Sequence, residues 1–232
     1  MRIVAAIPAR LNSSRLPKKL LREICGKTLI ARTYEATVNS NLFDDVFVIT
    51  NSPEIIAELE SSKIKYIFDD NNYQTGTDRI AGVVSKIDAD IIINVQGDEP
   101  FINSNTIKSI LNTFIQDKLN SIGIVSVMTP IKDEQELKNP NNVKVFTDVS
   151  DNAIYFSRHP IPFKNDLNIS KAYKHVGIYA FRKESLIEFA KLDAGKLESS
   201  EKIEALRLIE NDIKIKMINS NEVFIGIDTE ED

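Results

Sequence analysis

Directly after the apolar run IVAAI, residues 8–19 read PARLNSSRLPKK. From Arg10 to Arg32, seven basic residues (Arg10, Arg15, Lys18, Lys19, Arg22, Lys27, Arg32) stand against one acid, Glu23. Such a cluster, in a chain whose net charge is -5, calls for an anion. Arg forks and Lys point charges match phosphate oxygens, and Ser13 and Ser14 add hydroxyl donors. A solvated basic turn is the plainer alternative. Two acidic stretches complement the loop. DIIINVQGDEP, residues 90–100, ends an apolar run in Gln96, Gly97, Asp98 and Glu99, and IGIDTEED, residues 225–232, reaches Asp228 after another apolar stretch. A carboxylate at the tip of a buried strand suits Mg²⁺, which takes one or two protein carboxylates and completes its shell with phosphates and waters. Two carboxylates at the tips of separate strands would share one metal beside the basic loop. A turn cap at Asp98 and a helix start at Asp228 or Thr229 are equally ordinary uses of these acids.

QTGTDR, residues 74–79, is a Gly-containing turn entering a helix, with Thr75 and Thr77 as candidate caps. Its backbone amides suit an anion or a base edge, although most such turns only start helices. His175 lies in an alternating strand pattern, where a lone histidine is more often structural than functional. Tyr179, four residues on, shares its face. The basic loop is neither GxxxxGK[ST] nor GxGxxG, so neither a P-loop nor a dinucleotide fold is indicated.

The elements that must carry these residues follow from hydrophobic period. The strand-length runs RIVAAIP, DVFVIT, KYIF, DIIINV and IGIVSV alternate with helical segments around 27–39, 53–62, 77–87 and 104–117. This pattern predicts a mainly parallel sheet with helices on both faces, and ligands at the carboxyl ends of its strands. Asn51 or Ser52 caps the helix that Pro53 opens. Further on, VKVFTD and AIYFSR read as a hairpin around VSDN, followed by the strand YKHVGIYAFR. Such a hairpin extends the sheet or projects as an arm, and an exposed arm pairs with a second subunit, so a homodimer is expected. KLESSEKIEALRLIEN, residues 196–211, reads as one amphipathic helix. No repeat or linker divides the 232 residues, which leaves one domain with an arm.

Composition narrows the class. With 42% hydrophobic and 27% charged residues, 8 Gly and 8 Pro, the chain is that of a folded globular protein. The negative net charge argues against a nucleic-acid or membrane partner. With one cysteine, no leader and no apolar run near the roughly 20 residues that span a bilayer, the expected compartment is cytoplasmic. Cys25 is expected to pack as a small hydrophobe near the first helix.

Taken in order, PAR..SSRLP.K.L, GTDR, VQGDEP, YFSR.PIP, KHVGIYAFR and DT.ED resemble, over essentially the whole chain, the cytidylyltransferases that activate 3-deoxy-D-manno-octulosonate (Kdo), the CMP-Kdo synthetases. The resemblance implies a glycosyltransferase-A-like α/β nucleotidyltransferase fold over residues 1–232, with a sugar-binding and dimerisation insertion at about 140–182. It also implies a homodimer, Mg²⁺, and the reaction of CTP with Kdo to give CMP-Kdo and pyrophosphate, a step toward lipopolysaccharide. It assigns Arg10, Arg15 and Lys19 to the triphosphate, and Ala9, Gly76, Thr77 and Arg79 to the nucleotide. Asp98 and Asp228 become metal ligands, while Gln96, Arg158, His175, Tyr179 and Glu204 face the sugar acid, with Arg and His as its donors. Three positions depart from the family: Lys18 stands where it usually has Gly, Leu20 where it has Pro, and Ala205 where Gln follows the glutamate. These leave 8-amino-Kdo or a sialic-type acid open as the substrate. A non-catalytic CTP-binding dimer is the rival outside the enzyme class.

Overall fold

A computed structural model describes residues 1–13, 16–162 and 172–232. The chain forms two compact units, Met1–Ser104 with Val223–Asp232, and Asn105–Glu222. In the first, the runs that read as strands are strands: β1 (Ile3–Pro8), β4 (Asp45–Thr50), β5 (Tyr66–Phe68) and β6 (Ile91–Asn94), with the short hairpin β2 (Glu23–Ile24) and β3 (Lys27–Thr28) after β1. The four long strands pair in parallel in the order β6-β1-β4-β5. Ala5, Ala6, Ile7, Val48, Ile49, Ile91, Ile92 and Ile93 are fully buried, as expected for strands covered on both faces. The chain runs outward from β1 to β5 and then returns to β1's other side as β6. The strand order therefore reverses at β1, and the crevice at the carboxyl ends of β1 and β6 is where such sheets bind ligands.

The helices of this unit begin where their caps stand. α1 (Leu29–Asn39) is capped by Thr28, α2 (Pro53–Ser61) by Ser52, with Pro53 in the first turn, and α3 (Gly76–Gly82) by Thr75 in a reciprocal box with Asp78. The segment expected as one helix over 77–87 closes at Gly82 and continues as a 3-10 turn, Val84–Lys86. Cys25 is exposed rather than packed. It and Gly26 form the two-residue turn of β2–β3, at φ 49° and 77°, and such a turn points its side chain into solvent.

The second unit contains α4 (Ser104–Gln116), β7 (Ile124–Pro130), α5 (Glu134–Lys138), β8 (Lys144–Thr147), β9 (Ala153–Ser157), β10 (Tyr173–Arg182), α6 (Lys183–Phe189), α7 (Lys196–Glu201), α8 (Ala205–Glu210) and β11 (Lys216–Asn219). β7 lies between β11, parallel, and β10, antiparallel, and the β8–β9 hairpin continues the sheet from β10. The hairpin read from the sequence thus extends a sheet. The single helix expected over 196–211 is two helices. Lys202 turns left-handed at φ 57° and stops α7, so carbonyls at its end are released to accept side-chain donors. No helix among the described residues is long and apolar enough to cross a membrane.

Candidate active site

At the carboxyl ends of β1 and β6, a cavity of about 350 Å³ is lined by Pro8, Ala9, Arg10, Ser13, Lys19, Gly76, Arg79, Gln96, Asp98, Glu99 and Asp228, among others. The basic loop and both acidic stretches therefore meet at one place. Asp228 is not on a strand, contrary to the sequence reading, because residues 221–228 run without strand pairing. The tail is instead brought in by a backbone hydrogen bond, Ile227 N–H to the Asp98 carbonyl at 2.9 Å.

Lys19 sits in a 3-10 turn, Lys19–Leu21, and its ammonium donates to Asp228 Oδ1 at 2.8 Å and to Asp98 Oδ2. Burial works against the charge on Lys19, but the two carboxylates outweigh it and raise its pKa above the ordinary lysine value. Burial also pushes the Glu99 carboxyl up to about 7, with Asp98 and Asp228 adding to the shift. Among the described residues, no group of three or more His, Cys, Asp or Glu stands in metal-holding geometry. The donor set nevertheless fits Mg²⁺: two carboxylates converge on one cationic centre, and a hard cation that keeps its waters and takes phosphate oxygens needs no more from the protein.

Arg79 points into the same cavity from α3. It is 4% exposed, its guanidinium lies 5.5 Å from the Tyr73 ring centroid, and burial lowers its pKa. Its Nη1 is buried without a hydrogen-bond partner, a vacant donor facing a polar cavity. Gly76 lets α3 pass close to β1: a Cβ there would stand 3.0 Å from Pro8 Cγ, which would have to give by a few tenths of an ångström. Arg10 reaches the Gln74 carbonyl at 3.4 Å. Thr77 does not line the cavity: its hydroxyl accepts from Asn94 at 3.1 Å, and the Asn94 side chain in turn accepts from Gln96 at 3.3 Å. Arg15 lies outside the described residues. Lys18 is exposed, left-handed at φ 52°, and absent from the lining.

The remaining four sugar-acid candidates lie in the second unit. Arg158, just past β9, donates to the carbonyls of Glu201 at 2.8 Å, Pro140 at 2.9 Å and Lys202 at 3.4 Å. It thus docks on the break between α7 and α8, two residues before Glu204. The Glu201 carboxylate accepts from the Arg158 backbone N–H at 2.9 Å, and the fully buried Lys144 ammonium donates to the carbonyls of Asn139, Asn142 and Arg158. His175 and Tyr179 share a face, with ring centroids 5.1 Å apart. Burial raises the Tyr179 pKa well above its ordinary value, with Glu204 adding to the effect. The His175 Nε2 pairs with the Ser126 hydroxyl at 2.9 Å, and burial lowers the ring's pKa to about 3. Ser126, Lys144 and Glu201 went unnoticed in the sequence. The only local trace was a polar residue within an apolar strand run, IGIVSV.

Residues 4–215 match the cytidylyltransferase family. The chain belongs to that family. It is 48% identical to the 3-deoxy-manno-octulosonate cytidylyltransferase of Christiangramia forsetii, over all of this chain and 94% of that one. Against the protein of the same name from Flavobacterium johnsoniae the figures are 47%, all of this chain and 96%. A solved CMP:2-keto-3-deoxy-manno-octonic acid synthetase, complexed with CTP, superposes on 99% of this chain and 94% of its own with a TM-score of 0.90 at 34% identity. The 4-diphosphocytidyl-2C-methyl-D-erythritol synthase of Anaerococcus prevotii shares the fold, with a TM-score of 0.62 at 18% identity over 99% of this chain and 92% of that one. In this cytidylyltransferase the α/β class and the mostly parallel central sheet agree with the sequence reading.

Proposed function

We propose that this cytidylyltransferase activates Kdo with CTP, giving CMP-Kdo and pyrophosphate, and acts as a homodimer. The observation that carries the reading is one cavity holding Lys19 between Asp98 and Asp228, with the vacant donor of Arg79 beside it. It stands in a chain 48% identical, end to end, to a protein named for that reaction.

The anomeric C2 hydroxyl of the sugar attacks the α-phosphorus in line. A new P–O bond forms, the bond to pyrophosphate breaks, and the hydroxyl proton is lost to solvent. The chain's residues bind and neutralise charge. Arg10 and Lys19 take phosphate oxygens, and the Lys19 ammonium neutralises charge on the leaving pyrophosphate. Arg79, stacked on Tyr73, donates from Nη1 to the nucleotide, and Gly76 allows α3 to approach it. Asp98 and Asp228 would hold Mg²⁺, which would supply charge neutralisation at the α-phosphate and acidify the attacking hydroxyl. Arg158 keeps guanidinium protons beyond its three carbonyl bonds for the sugar carboxylate, and Tyr179 and Glu204 of the same unit take its hydroxyls.

The dimer reading is supported by the β8–β9 hairpin, whose Phe146, Val149 and Ile154 are exposed. The test of function is mass spectrometry of the products from CTP, Mg²⁺ and Kdo. A new CMP-Kdo mass together with pyrophosphate supports the reading, and unchanged CTP overturns it.

A further inference from the structure

Ser126 is fully buried in β7, and its hydroxyl meets two partners, the Ile178 carbonyl at 2.8 Å and His175 Nε2 at 2.9 Å. A hydroxyl has one proton, and a carbonyl only accepts, so that proton lies on the Ile178 side. Toward His175 the same oxygen is an acceptor. Nε2 must therefore carry the ring proton, which leaves Nδ1 with a lone pair in the ring plane. The strand pairing is built to allow this. β10 and β7 pair Val176 with Val127 and next Tyr179 with Ser126, so Gly177 and Ile178 are extra residues, and the Ile178 carbonyl at this irregularity accepts from the Ser126 side chain. Phe156 edge-on and Tyr179, each with its ring centroid 5.1 Å from that of His175, hold the imidazole in place. Burial lowers the His175 pKa to about 3, so the ring is neutral near pH 7.

We propose that Ser126 is a positioning residue for the sugar acid: it fixes His175 as the Nε2–H tautomer, so that Nδ1 accepts a hydrogen bond from a substrate hydroxyl. This rests on the reading that His175 faces the sugar acid. It gives the two polar groups different tasks, since an acceptor nitrogen favours a hydroxyl and repels a carboxylate, while the donor-only Arg158 attracts the carboxylate.

The test combines ¹⁵N spectra of the histidine ring with steady-state kinetics. In the wild type the protonated ring nitrogen of His175 is expected to be Nε2. Ser126→Ala is expected to lose the single tautomer and to raise KM for Kdo roughly tenfold, the scale of one hydrogen bond, with KM for CTP unchanged. Ser126→Thr, which keeps the hydroxyl, restores both. An Nδ1–H ring in the wild type, or a Ser126→Ala enzyme with unaltered KM for Kdo, overturns the proposal. His175→Ala separates the two layers. If it raises KM for Kdo and Ser126→Ala does not, the tautomer role alone fails. If it leaves KM for Kdo unchanged, the placement of His175 at the sugar acid fails as well.

Discussion

The Lys19 ammonium donates to the Asp228 carboxylate across 2.8 Å, joining residues 209 positions apart in the chain. With Asp98 on its other side, Lys19 pairs with both acids, and in the proposed mechanism a divalent cation competes with it for them. Lys19→Met keeps the length and removes the charge. The free protein should then bind Mn²⁺, used as a probe, more tightly by electron paramagnetic resonance titration, because the competing cation is gone. Turnover should fall about 100- to 1000-fold with the loss of a charge on the phosphates. Weaker Mn²⁺ binding would contradict the competition.

Gly82 lies under Tyr73, and a Cβ there would stand 1.9 Å from the tyrosine hydroxyl. That ring stacks on Arg79 and donates to Asp69 at 2.6 Å. Gly82→Ala is expected to displace Tyr73 and weaken CTP binding several-fold without touching the nucleotide. Arg79→Met should weaken it more, by about tenfold or beyond, as one charged hydrogen bond is lost. Equilibrium titration with CTP measures both, and unchanged affinity for Arg79→Met would remove its assigned role.

Lys18 stands at φ 52°, a conformation that disfavours any residue with a Cβ. It is exposed and does not line the cavity. The structure thus gives a backbone reason for glycine at this position. Lys18→Gly is expected to stabilise the protein by up to about 1 kcal/mol in urea unfolding, with KM for CTP unchanged. A marked rise in that KM would assign Lys18 to the phosphates after all.

Much of this arrangement was legible in the sequence, for physical reasons. DVFVIT and YKHVGIYAFR name their strands residue for residue, as Asp45–Thr50 and Tyr173–Arg182, because local period and β-branched content suffice there. The meeting of PARLNSSRLPKK with VQGDEP followed from their places at strand ends. Lys202 breaks the 196–211 helix although the apolar spacing runs straight through it. The carbonyls of Glu201 and Lys202 are used by Arg158, and such a contact, more than 40 residues away, leaves no mark on local spacing. Likewise, Ser126 reads as one more strand residue until its bond to His175, 49 positions on, is known.

The depressed His175 pKa has a pH consequence. Folded, the ring protonates at about 3, whereas the unfolded chain takes its proton near 6.5. Below pH 6.5 the unfolded state binds the extra proton, so this group costs the fold roughly 1.4 kcal/mol for each unit as pH falls toward 3. His175→Gln removes that term. Its Tm should therefore drop less steeply than the wild type's between pH 6.5 and 4 by calorimetry, whereas parallel curves would contradict the assignment.

Val149, at 106% relative exposure, is at the tip of the β8–β9 hairpin, between the exposed Phe146 and Ile154. Val149→Asp with Ile154→Asp should convert the proposed dimer to a monomer by light scattering coupled to size exclusion. A variant that stays dimeric would move the subunit contact elsewhere.

The most direct measurement of the central claim is the initial rate of pyrophosphate release from CTP and Mg²⁺ with Kdo, 8-amino-Kdo and sialic acid compared in turn. The account predicts release with Kdo at the highest kcat/KM of the three, and none with Asp98→Ala in a protein that stays folded. Release with sialic acid alone, or with none of the three, would contradict it.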